Sequence, residues 1–302
     1  MPVTEIRSRT IDEVQSACAP LRGPLWLAPW SLEATAPTAA DIAALAPLVP
    51  PGTDVLLSAL PRIPHDEQIA AARLVRAAGL EPVLHLSARK FASEAELGHL
   101  LETACRDIGL RKVLVIAGDI DAARGPFASS LDLIESAPFR AAPLQSVGIG
   151  GYPEGHPFVA DADLERSLRS RLDAIRDAGR APFLVSQFCF DAERILRWLD
   201  GLRRLEPALP VRIGLAGPAS AATLMKVALR CWVDLPMRHA RTATRLLSSG
   251  TPDPIVAGLD AGLRPHHRSG PLQIHVYGFG GLVKAAAWAG EAARTARAGW
   301  TA

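Results

Sequence analysis

Short apolar runs alternate along the chain with stretches in which apolar residues recur every three or four positions, the pattern of parallel strands joined by helices. The runs fall at residues 25–32, 54–59, 81–86, 112–117, 145–150, 182–188, 210–215 and 272–277. Several are almost wholly apolar, as strands covered on both faces are. Between them, Ile69, Leu74, Val75 and Ala78 form one helical stripe behind a capping Asp66. Ser93 with Glu96 makes a capping box ahead of Leu97, Leu100, Leu101 and Ala104. Leu164, Leu168, Leu172 and Ile175 repeat the stripe, as do Ile195, Leu196, Leu199 and Leu202 after Asp191. The stretch 220–264 is too long for one helix and is expected to hold two or three between the last two strands. Eight strand and helix units in 302 residues predict an α/β protein, a (β/α)8 barrel of one domain over 1–302, with 1–22 as an N-terminal extension.

Composition narrows the chemistry. At 49% hydrophobic and 21% charged the chain has ample material for one large core. Thirty-three basic against 31 acidic residues leave a net charge of +2, and without a basic patch no nucleic-acid partner is expected. No apolar stretch approaches the roughly 20 residues that span a bilayer, and no targeting segment is recognisable, so no membrane and a cytoplasmic location are expected. Cys18, Cys105, Cys189 and Cys231 lie far apart, without zinc-ligand spacing, so reduced thiols and no metal are expected. His266-His267 is read as a solvated loop, because no acid or cysteine accompanies it at ligand spacing. The six tryptophans, Trp26, Trp30, Trp198, Trp232, Trp288 and Trp300, are read as packing residues. Self-association is left open.

In a (β/α)8 barrel, chemistry sits at the carboxyl ends of the strands. Those ends carry Glu33, His85, Asp119, Tyr152 with His156, Gln187, and a Tyr277-Gly278-Phe279-Gly280-Gly281 turn whose free N–H groups suit an anionic group. The richest segment runs from Ser146 to Pro157. Gly148, Gly150 and Gly151 suggest close approach of backbone or ligand, and Pro153 and Pro157 stiffen the loop bearing Tyr152, Glu154 and His156.

Gly150-Gly151-Tyr152-Pro153-Glu154-Gly155-His156-Pro157, Val185-Ser186-Gln187-Phe188-Cys189-Phe190-Asp191, His85-Leu86-Ser87, Gly118-Asp119, Ser31-Leu32-Glu33 and Ile274-His275-Val276-Tyr277 resemble, in order, the motifs of the methylenetetrahydrofolate reductases. The resemblance runs from Ser31 to about Trp288. It implies reduction of 5,10-methylenetetrahydrofolate to 5-methyltetrahydrofolate by hydride from NAD(P)H, through FAD or directly. By the same carry-over Glu33 is the acid that opens the imidazolidine ring and Asp119 the carboxylate beside the pterin. Gln187, Tyr277 and Gly281 become substrate-binding positions, with Gly281 standing where the family has an arginine. His85, Tyr152, His156, Asp163 and Arg171 become cofactor-side positions.

The departures carry predictions too. Ala117 replaces the family's arginine before Gly-Asp, Phe127 replaces a flavin-contacting tyrosine, and Ala59-Leu60-Pro61-Arg62 replaces a Thr-Tyr-Gly-Ala stretch. Loss of a guanidinium beside a pyrophosphate removes charge-assisted bonds, which predicts FAD bound weakly or not at all. A carboxyl buried at the mouth is expected to titrate high enough for Glu33 to act as a general acid. Two other classes stand beside the reductase: a folate-dependent one-carbon transferase or folate-binding barrel without reductase turnover, and a lyase or aldolase acting on a phosphorylated substrate. Against the last, Lys90, Lys112, Lys226 and Lys284 all lie away from the expected strand ends.

Overall fold

The structure, a computed structural model, describes residues 29–234 and 250–298. Eight parallel strands pair in sequence order and close into a barrel: β1 (Trp30–Ala34), β2 (Asp54–Leu57), β3 (Glu81–Ser87), β4 (Lys112–Ile116), β5 (Ser146–Gly151), β6 (Ala181–Ser186), β7 (Val211–Ala216) and β8 (Leu272–Tyr277). The helices around it are α1 (Ala39–Leu45), α2 (His65–Ala77), α3 (Glu94–Thr103), α4 (Ser130–Glu135), α5 (Ala137–Ala141), α6 (Asp161–Asp177), α7 (Ala192–Leu205), α8 (Ala221–Arg230), α9 (Asp253–Gly262) and α10 (Leu282–Ala298). Two of these, α8 and α9, lie between β7 and β8, where extra helices were expected. The 1–22 extension lies outside the described residues, as do Trp26, Trp300 and Cys18. None of the described helices is long and apolar enough to cross a membrane.

Strand side chains alternate between the barrel interior and the helix layer. Leu32, Val55, Leu84, Leu86, Val113, Val115, Ile213 and Ile274 face outward into the main core with the helices. Inward positions build layers. At the amino-terminal end Asp54 accepts from Lys112 Nζ at 2.8 Å and from Arg212 Nη2 at 2.6 Å, and the Arg212 guanidinium lies 4.4 Å over the Phe183 ring. Above it Leu56, Val83, Leu114, Phe183 and Val185 form a separate apolar plug. The third layer, at the carboxyl end, is polar.

The strand differences follow from that alternation. β1 ends at Ala34 rather than Leu32 because Ser31 and Glu33 point into the polar layer, where a polar residue does not interrupt a strand. β6 stops at Ser186, so Gln187 stands half-buried on the rim rather than inside an apolar strand. At the start of α2 the N-cap is Pro64, and Asp66 lies in the first turn instead of capping it. Asp191 caps α7 as expected, accepting from Glu193 and Arg194 N–H groups. Trp30 is buried, and Trp198 and Trp288 pack against the core. Trp232 is instead 65% exposed, its ring 5.4 Å from that of Phe158.

The glycines of β5 are packing devices more than ligand contacts. A Cβ at Gly148 would stand 2.5 Å from Phe183 Cζ and 2.8 Å from Leu114 Cδ1, so this glycine makes room for the plug. One at Gly151 would meet Leu184 and Trp198 on the outer face. Only Gly150 faces the mouth, with Tyr152 Oη at 3.6 Å from its Cβ position. Gly148→Val is therefore expected to cost about 1–3 kcal/mol through overpacking, whereas Gly150→Ala is expected to be nearly neutral. Urea unfolding of both variants checks the contrast.

Candidate active site

The polar layer is organised around Glu33. On β1 it is hydrogen-bonded in register between β2 and β8, and Ser58, just after β2, donates to its Oε1 at 2.8 Å. His275 Nε2 on β8 stands 3.5 Å and His85 Nε2 on β3 3.8 Å from the other oxygen. Both distances exceed a good hydrogen bond, and neither buried nitrogen has a hydrogen-bond partner. Ser31 Oγ lies 3.0 Å from His275 Nδ1 and seats that ring.

Glu33 does not titrate as expected from its location. Burial raises its pKa, but the His85 charge, the close His275 ring and the Ser58 bond outweigh burial and bring it below the ordinary value. Burial pushes both histidines down against the pull of Glu33. The resting layer at neutral pH therefore holds a carboxylate facing two neutral imidazoles, not a protonated acid. His85 belongs to this network, pointing into the barrel at Glu33.

Asp119 lies three residues past β4 on an exposed turn. Gly118 has φ +100°, and a Cβ there would collide with Ser87 Oγ at 1.9 Å; only glycine allows the turn that presents Asp119. Arg89 braces the same loop, donating from its backbone to Ala117 O and from its guanidinium to Ile120 and Ala128 carbonyls. The Asp119 carboxylate makes no hydrogen bond or ion pair among the described residues. Its charge adds to burial in raising the Tyr152 hydroxyl, and together with Glu33 and burial it raises the Cys231 thiol.

Gln187 N–H donates to Gly151 O at 2.8 Å, and its Oε1 accepts from Phe188 N–H at 3.0 Å. Its amide nitrogen has no hydrogen-bond partner among the described residues. Tyr277 donates to Ser186 O at 3.1 Å and stacks on Phe279 at 5.3 Å. Burial, followed by the charge of Glu33, raises its hydroxyl well above the usual value. Glu33, Asp119 and Gln187 thus share one rim, at the carboxyl ends of β1, β4 and β6. Gly281, with φ +114°, directly precedes α10.

The cofactor-side positions separate. Tyr152 lies over Gly150 with the His156 ring 5.2 Å away. Arg171 on α6 is 7% exposed, with Nε bonded to Ser167 O and no carboxylate partner among the described residues. Asp163 is instead exposed and paired with Arg166. Phe127 is buried, edge-on to Phe91. Glu154, given no role by the motifs, accepts from Cys189 Sγ at 3.1 Å and Asp234 N–H at 2.7 Å and ties the Tyr152 loop to the end of α8. His275, Ser31 and Ser58 were also unassigned. Strand alternation was the signal available: positions 31 and 33, and 275 and 277, share the inward face.

At the opposite end of the barrel the structure corrects the reading of His266-His267. His267 is buried, and Asp200 of α7 lies 2.6 Å from His266 Nε2 and 2.7 Å from His267 Nε2. This is a carboxylate held far away in sequence. Arg264 N–H donates to His267 Nδ1 at 2.9 Å, so the neutral ring carries its proton on Nε2 and gives it to Asp200. A metal-bound imidazole instead donates from its remote nitrogen. The trio is a hydrogen-bonded staple.

Because burial depresses His85 and His275 and the network depresses Glu33, the unfolded chain binds more protons than the native state once pH falls below about 6.5, the ordinary histidine value. Stability is expected to be full above that pH and to decline as acid protonates first the histidines and then Glu33. His275→Gln is expected to flatten the upper part of the decline. Urea unfolding of the parent and variant from pH 7 downward checks this.

Comparison with known proteins agrees with the motifs. The profile of the methylenetetrahydrofolate reductases matches residues 42–245. Methylenetetrahydrofolate reductase (NADH) 1 of Arabidopsis thaliana is 27% identical over 179 residues, 55% of this chain and 30% of its own length. The probable methylenetetrahydrofolate reductase (NADPH) of Caenorhabditis elegans is 25% identical over 179 residues, 55% of this chain and 25% of its own. The matched stretch thus spans less than a third of these relatives. Among solved structures, an uncharacterized protein from Clostridium thermocellum that binds two copies of 5-methyl-5,6,7,8-tetrahydrofolic acid shares the fold, with a TM-score of 0.61 at 12% identity over 90% of this chain and 95% of that one. With about two thirds of its length matched by the family profile, and with the motif residues gathered at one barrel rim, the chain belongs to the methylenetetrahydrofolate reductase family.

Proposed function

We propose that the barrel mouth reduces 5,10-methylenetetrahydrofolate to 5-methyltetrahydrofolate with hydride from NAD(P)H. The observation that carries this reading is the grouping of Glu33, Asp119 and Gln187 on one rim, where the Asp119 carboxylate and the Gln187 amide nitrogen have no partner among the described residues. The reaction opens the imidazolidine ring with a proton on N10, forming an iminium between N5 and the one-carbon unit. Hydride from the nicotinamide then adds to that carbon, leaving the oxidised dinucleotide. Asp119 stabilises the positive charge as it develops. The Gln187 amide nitrogen bonds the pterin edge, and the Tyr277–Phe279 pair gives an aromatic wall. Glu33 is ionised in the resting site. Its proton therefore arrives with substrate, whose bulk displaces water and increases the burial that disfavours the carboxylate. The Clostridium thermocellum protein of the same fold, which binds a methylated reduced folate, supports a folate as the ligand class. It also keeps in view the second reading, a folate-binding barrel without reductase turnover.

The residues do not fit the family's flavin cradle. Ala117 carries no guanidinium, Phe127 is buried against Phe91, Asp163 turns to Arg166, and His85 points at Glu33. Tyr152, His156 and Arg171 remain. The reading therefore uses direct hydride transfer from the nicotinamide to the folate. The purified protein is expected to lack the visible spectrum of oxidised flavin and still to oxidise NAD(P)H when methylenetetrahydrofolate is added; a stoichiometric flavin spectrum overturns direct transfer, and folate binding without oxidation favours the second reading.

Asp119→Asn is expected to lower turnover by roughly 100-fold or more with unchanged circular dichroism, and near-normal turnover removes Asp119 from the mechanism. Gln187→Ala is expected to weaken folate binding by roughly tenfold, the effect of losing one or two hydrogen bonds, as measured by calorimetric titration.

A further inference from the structure

A second cavity, of about 680 Å³, opens outside the mouth between α2 and α3 and under the loops that follow β2, β3 and β4. It shares no lining residue with the Glu33 layer. Arg62, Lys90 and Arg124 face it. Lys90 is 4% exposed, and its ammonium donates to Ile63 O with no carboxylate in contact among the described residues. Burial, with Arg124 adding to it, pushes this ammonium below its ordinary pKa against the pull of Glu96. A buried cation without a counter-ion is costly. The carboxylate nearest to supplying one, Glu96, is already engaged: His65 Nδ1 lies 3.2 Å from one oxygen, and Ala92 N–H donates to the other. Arg73, also on the wall, pairs with Asp107 at 3.0 Å. Arg62 and Arg124 are exposed and have no ion pair among the described residues. Of the lining carboxylates, Asp66 and Glu96 thus stand against the three cations Arg62, Lys90 and Arg124.

The backbone adds to the imbalance. The 13-residue helix α2 starts at this cavity behind Pro64, with no side-chain cap among the described residues and with Asp66 and Glu67 in its first turn. Such an end carries partial positive charge and directed donors. We propose that this cavity binds a phosphorylated small molecule, its phosphate oxygens accepting from Lys90, from the forked guanidinium donors of Arg62 and Arg124, and from the first turn of α2. Guanidinium groups suit phosphate because their paired donors match its oxygens. The volume exceeds a single phosphate and falls in the range of sites that enclose an organic ligand. The site does not rest on the reaction at the mouth.

Calorimetric titration of the full chain with inorganic pyrophosphate tests this, with adenosine diphosphate and citrate as parallel probes. Saturable binding of pyrophosphate or adenosine diphosphate is expected, with citrate much weaker. Lys90→Met and Arg124→Ala are each expected to weaken binding about tenfold through loss of a charge-assisted contact, and Asp119→Asn at the mouth is expected to leave it unchanged. Should Lys90→Met fail to fold, Arg62→Ala and Arg124→Ala, both at exposed positions, carry the test alone. No saturable binding, binding undiminished in both arginine variants, preference for citrate, or loss of binding in Asp119→Asn would each overturn the proposal.

Discussion

Barrel closure is the constraint from which the rest of this structure follows. Once β1 pairs with both β2 and β8, every strand has a neighbour on each side and alternate residues must share one interior. The protein meets that demand with three unlike layers: an Asp54–Lys112–Arg212 cluster at one end, an apolar plug in the middle, and Glu33 with its imidazoles at the other. The plug separates the two charged layers, so neither is solvated through the barrel. Phe183 supplies much of the plug, and Gly148 is the cost of admitting it. The glycine spacing of β5 thus serves packing at 148 and 151 and the mouth at 150.

The chemistry of the upper layer is set by burial competing with proximity. A carboxylate alone in a protein interior is driven toward its neutral form. Here Ser58 and two histidines oppose that, and burial in turn discharges the histidines. The outcome is a cluster whose protonation responds to anything that alters solvent access at the mouth, a substrate included. Asp119 is arranged differently, on a turn that only Gly118 permits and that Arg89 ties at three carbonyls. One carboxylate is enclosed, and the other has no partner among the described residues, the contrast that the proposed proton transfer and charge stabilisation call for.

Departures from the family motifs fall on both sides of the mouth, at Ala117, Phe127 and the Ala59–Arg62 stretch on one and at Gly281 on the other. The Glu33, Gln187 and Tyr277 side retains its motifs and a continuous set of contacts. On the side of β2 to β4, Phe127 lies in the core, and Pro61 and Arg62 line a basic cavity.

The strands, the order of the helices and the closed barrel were legible in the chain itself, because parallel strands covered on both faces must be apolar and the intervening helices must carry one apolar stripe. The rim positions of Glu33, Asp119 and Gln187 were legible too, since strand ends are marked by glycine, proline and a change from apolar to polar residues. What the chain could not display was which partners meet across the barrel. That Glu33 would be ionised, that His85 and His275 would converge on it, and that Asp200 would join two histidines more than 60 residues away depend on distances between segments remote in sequence. Electrostatic shifts and cavities are properties of those distances, and only the closed tertiary structure sets them.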